Sequence, residues 1–178
     1  IGFEALVRWN HPTAGIISPI QFIPLAEQTG LIVSLGNLIF KKACNQLKEW
    51  RNKGFTDIKI NVNLSMNQFK DDYLVRNIEK TLKETEVPPE KIAIELTEST
   101  FSDDKEETIT KLHQLKTLGF CIAIDDFGTG YSSLGYILDF PVDSIKIDRS
   151  FIRVLNENKK IEAIVSAINT MANTMDIS

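Results

Sequence analysis

The sequence predicts an α/β fold: a (β/α) barrel of the TIM type, of which this chain carries about five strands. Two observations predict it. Strand-like and helix-like segments alternate with short links along the 178 residues, the pattern of parallel strands joined by right-handed crossovers. Each strand-like segment also splits into one parity of large apolar side chains and another of small or polar ones.

The elements follow in order. A first strand over residues 2–9 sets Phe3, Ala5, Val7 and Trp9 against Gly2, Glu4, Leu6 and Arg8. Ser18 and Pro19 read as an N-cap and a proline at the first helical position, opening a helix over 20–28. Residues 31–51 are long and amphipathic, and Gly54 follows their end. The second strand, 58–65, sets Ile60, Val62 and Leu64 against Asn61, Asn63 and Ser65. Leu74, Ile78 and Leu82 recur at helical spacing within 71–84, ahead of Pro88 and Pro89. The third strand, 92–98, sets Ile92, Ile94 and Leu96 against Ala93, Glu95 and Thr97. Ser102 or Asp103 caps a helix carrying Ile109, Leu112, Leu115 and Leu118, which Gly119 stops. The fourth strand, 121–127, sets Ile122 and Ile124 against Cys121, Ala123 and Asp125. The fifth, 144–148, sets Ile145 and Ile147 against Ser144, Lys146 and Asp148, and a helix over 161–175 closes the chain.

Alternation alone suits a closed barrel or an open doubly wound sheet. The strand faces decide between them. Helices cover both faces of an open parallel sheet, so the polar parity would be buried without partners. In a barrel that parity faces the interior, where side chains from many strands converge. An antiparallel sheet with one wet face is the competing arrangement. The intervening helices argue against it, as does the scarcity of Lys, Thr and Gln on the polar parity.

Composition bounds the function. The chain is 43% hydrophobic and 25% charged, ordinary for one globular domain, and its net charge of −4 supplies no basic face for long nucleic acid. No apolar run reaches membrane-spanning length. Cys44 and Cys121 lie in apolar segments without metal-type spacing and read as reduced core residues. His11 and His113 are too isolated to form a catalytic pair, and the Asn63-Leu64-Ser65 sequon falls within a strand, where a glycan would not fit.

The polar parity carries the chemistry. Glu4, Asn63, Glu95 and Asp125 point into one space, and Asp126 follows where the strand ends and the period of two relaxes. Four carboxylates and an amide in a confined volume repel and desolvate one another, a cost that a divalent cation relieves. Oxygen donors without a His or Cys cluster favour Mg²⁺ or Mn²⁺ over zinc. Asp125 and Asp126 in tandem suit two cations, which can clamp a phosphodiester and supply hydroxide for in-line attack. Lys146 shares the interior parity and can orient a water or stabilise phosphoryl charge; an ion pair with Asp148 is its structural alternative. Arg8 shares Glu4's parity and can fork onto a phosphate, or form a rim salt bridge. The stretch from Phe127 to Ser133, with Gly128 and Gly130, reads as a loop that positions the aspartates, and Glu98 as a brace for it or a solvated charge.

Taken together these residues resemble the EAL family. Glu4-Ala5-Leu6 with Val7-Arg8-Trp9 looks like its naming signature. The match continues through Phe22-Ile23-Pro24-Leu25-Ala26-Glu27, Asn63-Leu64-Ser65, Glu95-Leu96-Thr97-Glu98, Asp125-Asp126-Phe127-Gly128-Thr129-Gly130 and Lys146-Ile147-Asp148, in family order. The resemblance implies a cytoplasmic bacterial phosphodiesterase that opens cyclic-di-GMP to linear pGpG with two Mg²⁺ or Mn²⁺ ions. It implies Glu4, Asn63, Glu95, Asp125 and Asp126 as metal ligands, Glu4 and Asp125 taking part in catalysis, and Lys146 holding the attacking water. Arg8 and Asp148 would contact substrate, and Glu98 would anchor the loop that links the site to a homodimer interface. One antiparallel strand in the barrel and an upstream diguanylate cyclase (GGDEF) or sensor domain also come with the family.

By the same resemblance, residues 1–178 form one EAL domain that lacks the first strand and the last strands, with a Glu in a Glu-Gly-Val-Glu motif and a substrate-contacting Gln among the missing part. Little turnover is then expected of the chain alone, and open strand edges favour self-association. Two other functions remain: an inactive EAL module that only binds cyclic-di-GMP or regulates a partner, and a metal-dependent barrel enzyme acting on another substrate.

Overall fold

The structure is a computed structural model that describes residues 1–97, 105–128 and 137–178. In chain order the elements are β1 (Gly2–Glu4), β2 (Trp9–His11), β3 (Gly15–Ile17), α1 (Pro19–Gln28), α2 (Leu31–Asn52), β4 (Lys59–Leu64), α3 (Met66–Phe69), α4 (Leu74–Thr85), a 3₁₀ turn (Pro89–Lys91) and β5 (Ile92–Thr97). There follow α5 (Lys105–Leu118), β6 (Cys121–Phe127), β7 (Ser144–Ile147), α6 (Arg149–Arg153) and α7 (Lys159–Thr174).

Five strands form one sheet in the order β1-β4-β5-β6-β7, every pair parallel. The order never reverses, which separates the fold from a doubly wound sheet with its central switch point. The sheet curls into a half-barrel with helices outside, an incomplete TIM-type barrel.

Each strand's apolar parity packs outward on those helices. Ile60, Val62, Leu64, Ile92, Ile94, Leu96, Ile122 and Ile124 are all buried in one core with Phe40, Cys44 and Leu47 of α2 and Leu112 and Leu115 of α5. Each such aliphatic side chain contributes about 1.5–3 kcal/mol on leaving water. The helices form because their apolar residues recur on one face: α2 buries Ile32, Gly36, Phe40, Ala43, Cys44 and Leu47, and α4 buries Leu74 and Ile78. Cys44 is fully buried, and desolvation pushes its thiol pKa up to about 12, so it is an inert packing group.

Two local devices hold the end of β4 in place. Ser65 opens α3 with a capping box, accepting from Gln68 N while Gln68 Oε1 accepts from Ser65 N. Gln68 is buried against α2, where a Cβ at Gly36 would lie 1.7 Å from its Nε2, so only glycine admits this approach. Behind α3, Lys111 of α5 is buried, pairs with Glu107 at 2.6 Å and donates to the carbonyl of Phe69 at 2.8 Å.

The first strand departs from expectation. It ends at Glu4 instead of running to Trp9, and Trp9 leaves the sheet to start the antiparallel β2–β3 hairpin. The cause is packing. The Trp9 ring stands edge-on to Phe22 of α1 at 5.7 Å and to His11 at 5.6 Å, which draws this segment over α1. The hairpin turn is fixed by His11 Nδ1, which accepts from the amides of Thr13 and Ala14, and by Gly15 at φ 71°. Pro12 and Gly15 were its available sequence signals. His113 lies exposed on α5.

Candidate metal centre

The interior parity of the central strands carries the polar side chains, and the register brings them together. Asn63 is level with Glu95, and Thr97 is level with Asp125. Glu4, at the end of β1, is level with Asn61 and takes a 2.8 Å hydrogen bond from Asn63 Nδ2. Carboxylate oxygens of Glu4, Glu95 and Asp125 all lie within 4.8 Å of one another. Three separate strands thus deliver three carboxylates, with the Asn63 amide beside them, to one point.

Glu95 is the buried centre of this group, 1% exposed. Its Oε1 accepts from Asn61 Nδ2 at 2.7 Å and pairs with Lys146 Nζ at 2.8 Å. Its Oε2 is buried and has no hydrogen-bond partner among the described residues. Burial raises the Glu95 pKa, Asp125's charge adds to the rise, and Lys146 and Asn61 oppose it. Lys146 Nζ also reaches Asp125 Oδ1 at 3.2 Å. Burial works against the Lys146 charge, but the hydrogen bond and charge of Glu95, joined by Asp125, outweigh it and raise its pKa. Its ion pairs therefore run across the interior to Glu95 and Asp125, where the sequence had left Asp148 as an alternative.

A buried carboxylate oxygen without a donor is costly. Here it belongs to an all-oxygen cluster, and that donor set fits a hard divalent cation. Glu4, Glu95 and Asp125 could hold one, with Asn63 as a neutral neighbour.

Asp126 reaches the same end of the sheet by a different route. The β6–β7 register slips between Ile124 and Phe127, and Asp126 adopts φ 52°, a left-handed backbone at a β-bulge. The bulge re-aims a side chain that strict alternation would turn outward. Desolvation, with the nearby negative charges of Asp125 and Asp148, raises the Asp126 pKa. Asp148 caps α6, with Oδ1 accepting from Ser150 N at 2.8 Å; the Ser150 hydroxyl and amide hold its pKa below the ordinary carboxylate value, and its carboxyl also meets Asp126. Gly128 follows at φ 97°, and a Cβ there would lie 2.9 Å from the ring of Phe151 on α6.

Arg8 is exposed beyond the end of β1, with Nη1 donating to its neighbour's carbonyl, Val7 O, at 2.7 Å. The shared parity of Arg8 and Glu4 does not hold, because the strand stops between them. Both still line a groove of about 500 Å³ between β1 and α2. Glu98 and positions 129–133 of the glycine-containing loop lie outside the described residues. Asn61 is the site residue that sequence reasoning passed over. Its interior parity was visible, but no motif distinguished it from packing.

Comparison with known proteins agrees with this geometry. A family model of the EAL domain matches residues 1–178. The bifunctional diguanylate cyclase/cyclic di-GMP phosphodiesterase MucR of Pseudomonas aeruginosa is 45% identical over 177 residues, 99% of this chain and 26% of that protein. The cyclic di-GMP phosphodiesterase PdeR of Escherichia coli is 37% identical over 174 residues, 98% of this chain and 26% of its own length. The chain thus spans about a quarter of each of these relatives. Among solved structures, the PaMucR phosphodiesterase in its c-di-GMP complex superposes with a TM-score of 0.94 at 45% identity, covering 99% of this chain and 72% of that one. With its half-barrel, its interior acidic cluster and a family match over every residue, the chain belongs to the EAL domain family.

Proposed function

We propose that this chain is the cation-holding part of a cyclic-di-GMP phosphodiesterase that hydrolyses its substrate to linear pGpG. The observation that carries the reading is the unpartnered, buried Oε2 of Glu95 within a cluster of three carboxylates, in a chain 45% identical to a phosphodiesterase solved with c-di-GMP. Glu4, Asn63, Glu95 and Asp125 would hold one Mg²⁺ or Mn²⁺, and Asp125 with Asp126 a second. Such cations supply Lewis-acid stabilisation of phosphoryl charge and ease deprotonation of an attacking water.

The chain's own groups do the rest. Lys146, held charged between Glu95 and Asp125, orients that water in line with the scissile bond. Water oxygen bonds to phosphorus, the bond to the 3′ oxygen breaks, and the proton passes to the departing hydroxyl, leaving a 5′-phosphate. Arg8 and Asp148 contact substrate from the rim, and Glu98 anchors the loop after Asp126. A homodimer belongs to the same reading, with the loop after Asp126 as its link to the site. Among the described residues no helix is long and apolar enough to cross a membrane, and we place the activity in the cytoplasm, where the second messenger acts.

The test assays the complete polypeptide that contains these residues with cyclic-di-GMP and Mn²⁺. Release of pGpG that stops on chelation and in Glu95→Gln is expected. Binding without hydrolysis would favour a regulatory module, and neither binding nor hydrolysis would overturn the substrate assignment.

A further inference from the structure

Asn61 precedes Asn63 by two positions on β4, so both amides stand on the interior face. Asn61 Nδ2 donates to Glu95 Oε1 at 2.7 Å, and Lys146 Nζ reaches the same oxygen at 2.8 Å. Two donors fill the lone pairs of Oε1. All remaining acceptor capacity of this buried carboxylate then resides on Oε2, which no described donor meets. The two oxygens of one side chain are thereby made chemically unequal.

Lys146 alone would not maintain that inequality. It is shared with Asp125 Oδ1 at 3.2 Å, and a cation that swings toward Asp125 releases Glu95. The terminal torsion of glutamate is broad, so a released carboxylate exchanges its two oxygens freely. Asn61 supplies a second, fixed donor from the neighbouring strand. Being an amide, it adds no positive charge and leaves the negative potential of the cluster intact for a cation.

We propose that Asn61 is a positioning residue that, together with Lys146, clamps Oε1 of Glu95 so that Oε2 is presented to a divalent cation. The inference rests on the metal-dependent reading given above. It adds a residue to the machinery that acts through Glu95 and touches neither cation nor substrate.

Equilibrium titration with Mn²⁺, read by the electron paramagnetic resonance of free and bound ion, tests it without relying on turnover. The proteins compared are the wild type, Asn61→Leu (similar in volume, no donor), Asn61→Ala (in case leucine fits badly) and Glu95→Gln. Both Asn61 variants are expected to bind Mn²⁺ about 10-fold more weakly, as losses of ligand-orienting partners do. The spectrum of the bound ion should change, because the carboxylate no longer holds one geometry. Glu95→Gln should lose more. If the folded Asn61 variants keep Mn²⁺ affinity within about twofold and an unchanged spectrum while Glu95→Gln loses binding, the positioning role is wrong and the metal reading stands. The positioning role is equally wrong if those variants only melt earlier. A wild-type protein that binds no Mn²⁺ removes the metal reading, and this inference with it.

Discussion

Glu95 and Glu4 contribute the same functional group to one cluster, yet the fold holds them in opposite ways. Glu95 lies on β5, between β4 and β6, 1% exposed and bonded by Asn61 and Lys146. Glu4 ends a three-residue edge strand, is open to solvent, and has Asn63 as its hydrogen-bond partner. The central strand has already borne the desolvation of its carboxylate, against the packing energy of the core beneath it. The edge strand has borne almost none and positions its carboxylate by register. Within residues 1–178 the cluster therefore has a rigid half, which fixes geometry at a cost in desolvation, and a half whose position is set by strand register.

The contrast can be tested at three strengths. The largest effect lies under the two residues. Ile94, fully buried on β5, should cost about 2–5 kcal/mol when cut to alanine. Phe3 of β1 is 46% exposed and leans on Trp50, and Phe3→Ala should cost markedly less, about 1 kcal/mol. Urea denaturation of both variants gives the comparison, and equal losses would end the distinction between centre and edge.

The second test concerns pH. Burial raises Glu95's folded pKa above the ordinary 4.5, so folding favours its protonated form. That contribution is fully present below the unfolded pKa and is lost as pH rises through the folded one. A glutamine at 95 keeps an acceptor for Asn61 and Lys146 but never ionises. Glu95→Gln should melt above the wild type at pH 7 in chelator, with the gain gone near pH 4. Each kcal/mol corresponds to roughly 2–4 °C in a chain of this size. A wild type as stable as the variant at pH 7 would mean that the two donors offset burial completely.

The smallest effect belongs to Glu4. Glu4→Gln should change stability in chelator by no more than about 0.5 kcal/mol, as exposed positions do. It should still reduce the thermal stabilisation that added Mn²⁺ gives. A large loss of stability without metal would show that Glu4 is a structural residue.

Much of this was readable residue by residue. Ile92, Ile94 and Leu96 alternate with Ala93, Glu95 and Thr97, and a parallel strand with helices outside can place the two sets only one way. The same alternation on β4 and β6 put Asn63, Glu95 and Asp125 on a common face. Glu4 falls within the cluster although its strand was drawn too long, because parity holds up to the point where pairing stops. Arg8 lay beyond that point, so its parity meant nothing. Asp126 and Asp148 resisted for another reason: a bulge with a left-handed residue and a helix cap both break the period of two, and neither leaves a hydrophobic pattern.

By itself the sequence determined which side chains of the regular central strands face inward, because apolar periodicity leaves such a strand one way round, and its motifs determined the family. Tertiary structure alone decided which inward groups touch. Strand register sets contact between residues far apart in sequence, and it placed Asn61 and Lys146 on one oxygen of Glu95 while leaving the other bare. Nothing local to any of the three residues encodes that asymmetry, since it depends on angstrom-scale offsets between strands fixed by the packing of the whole core.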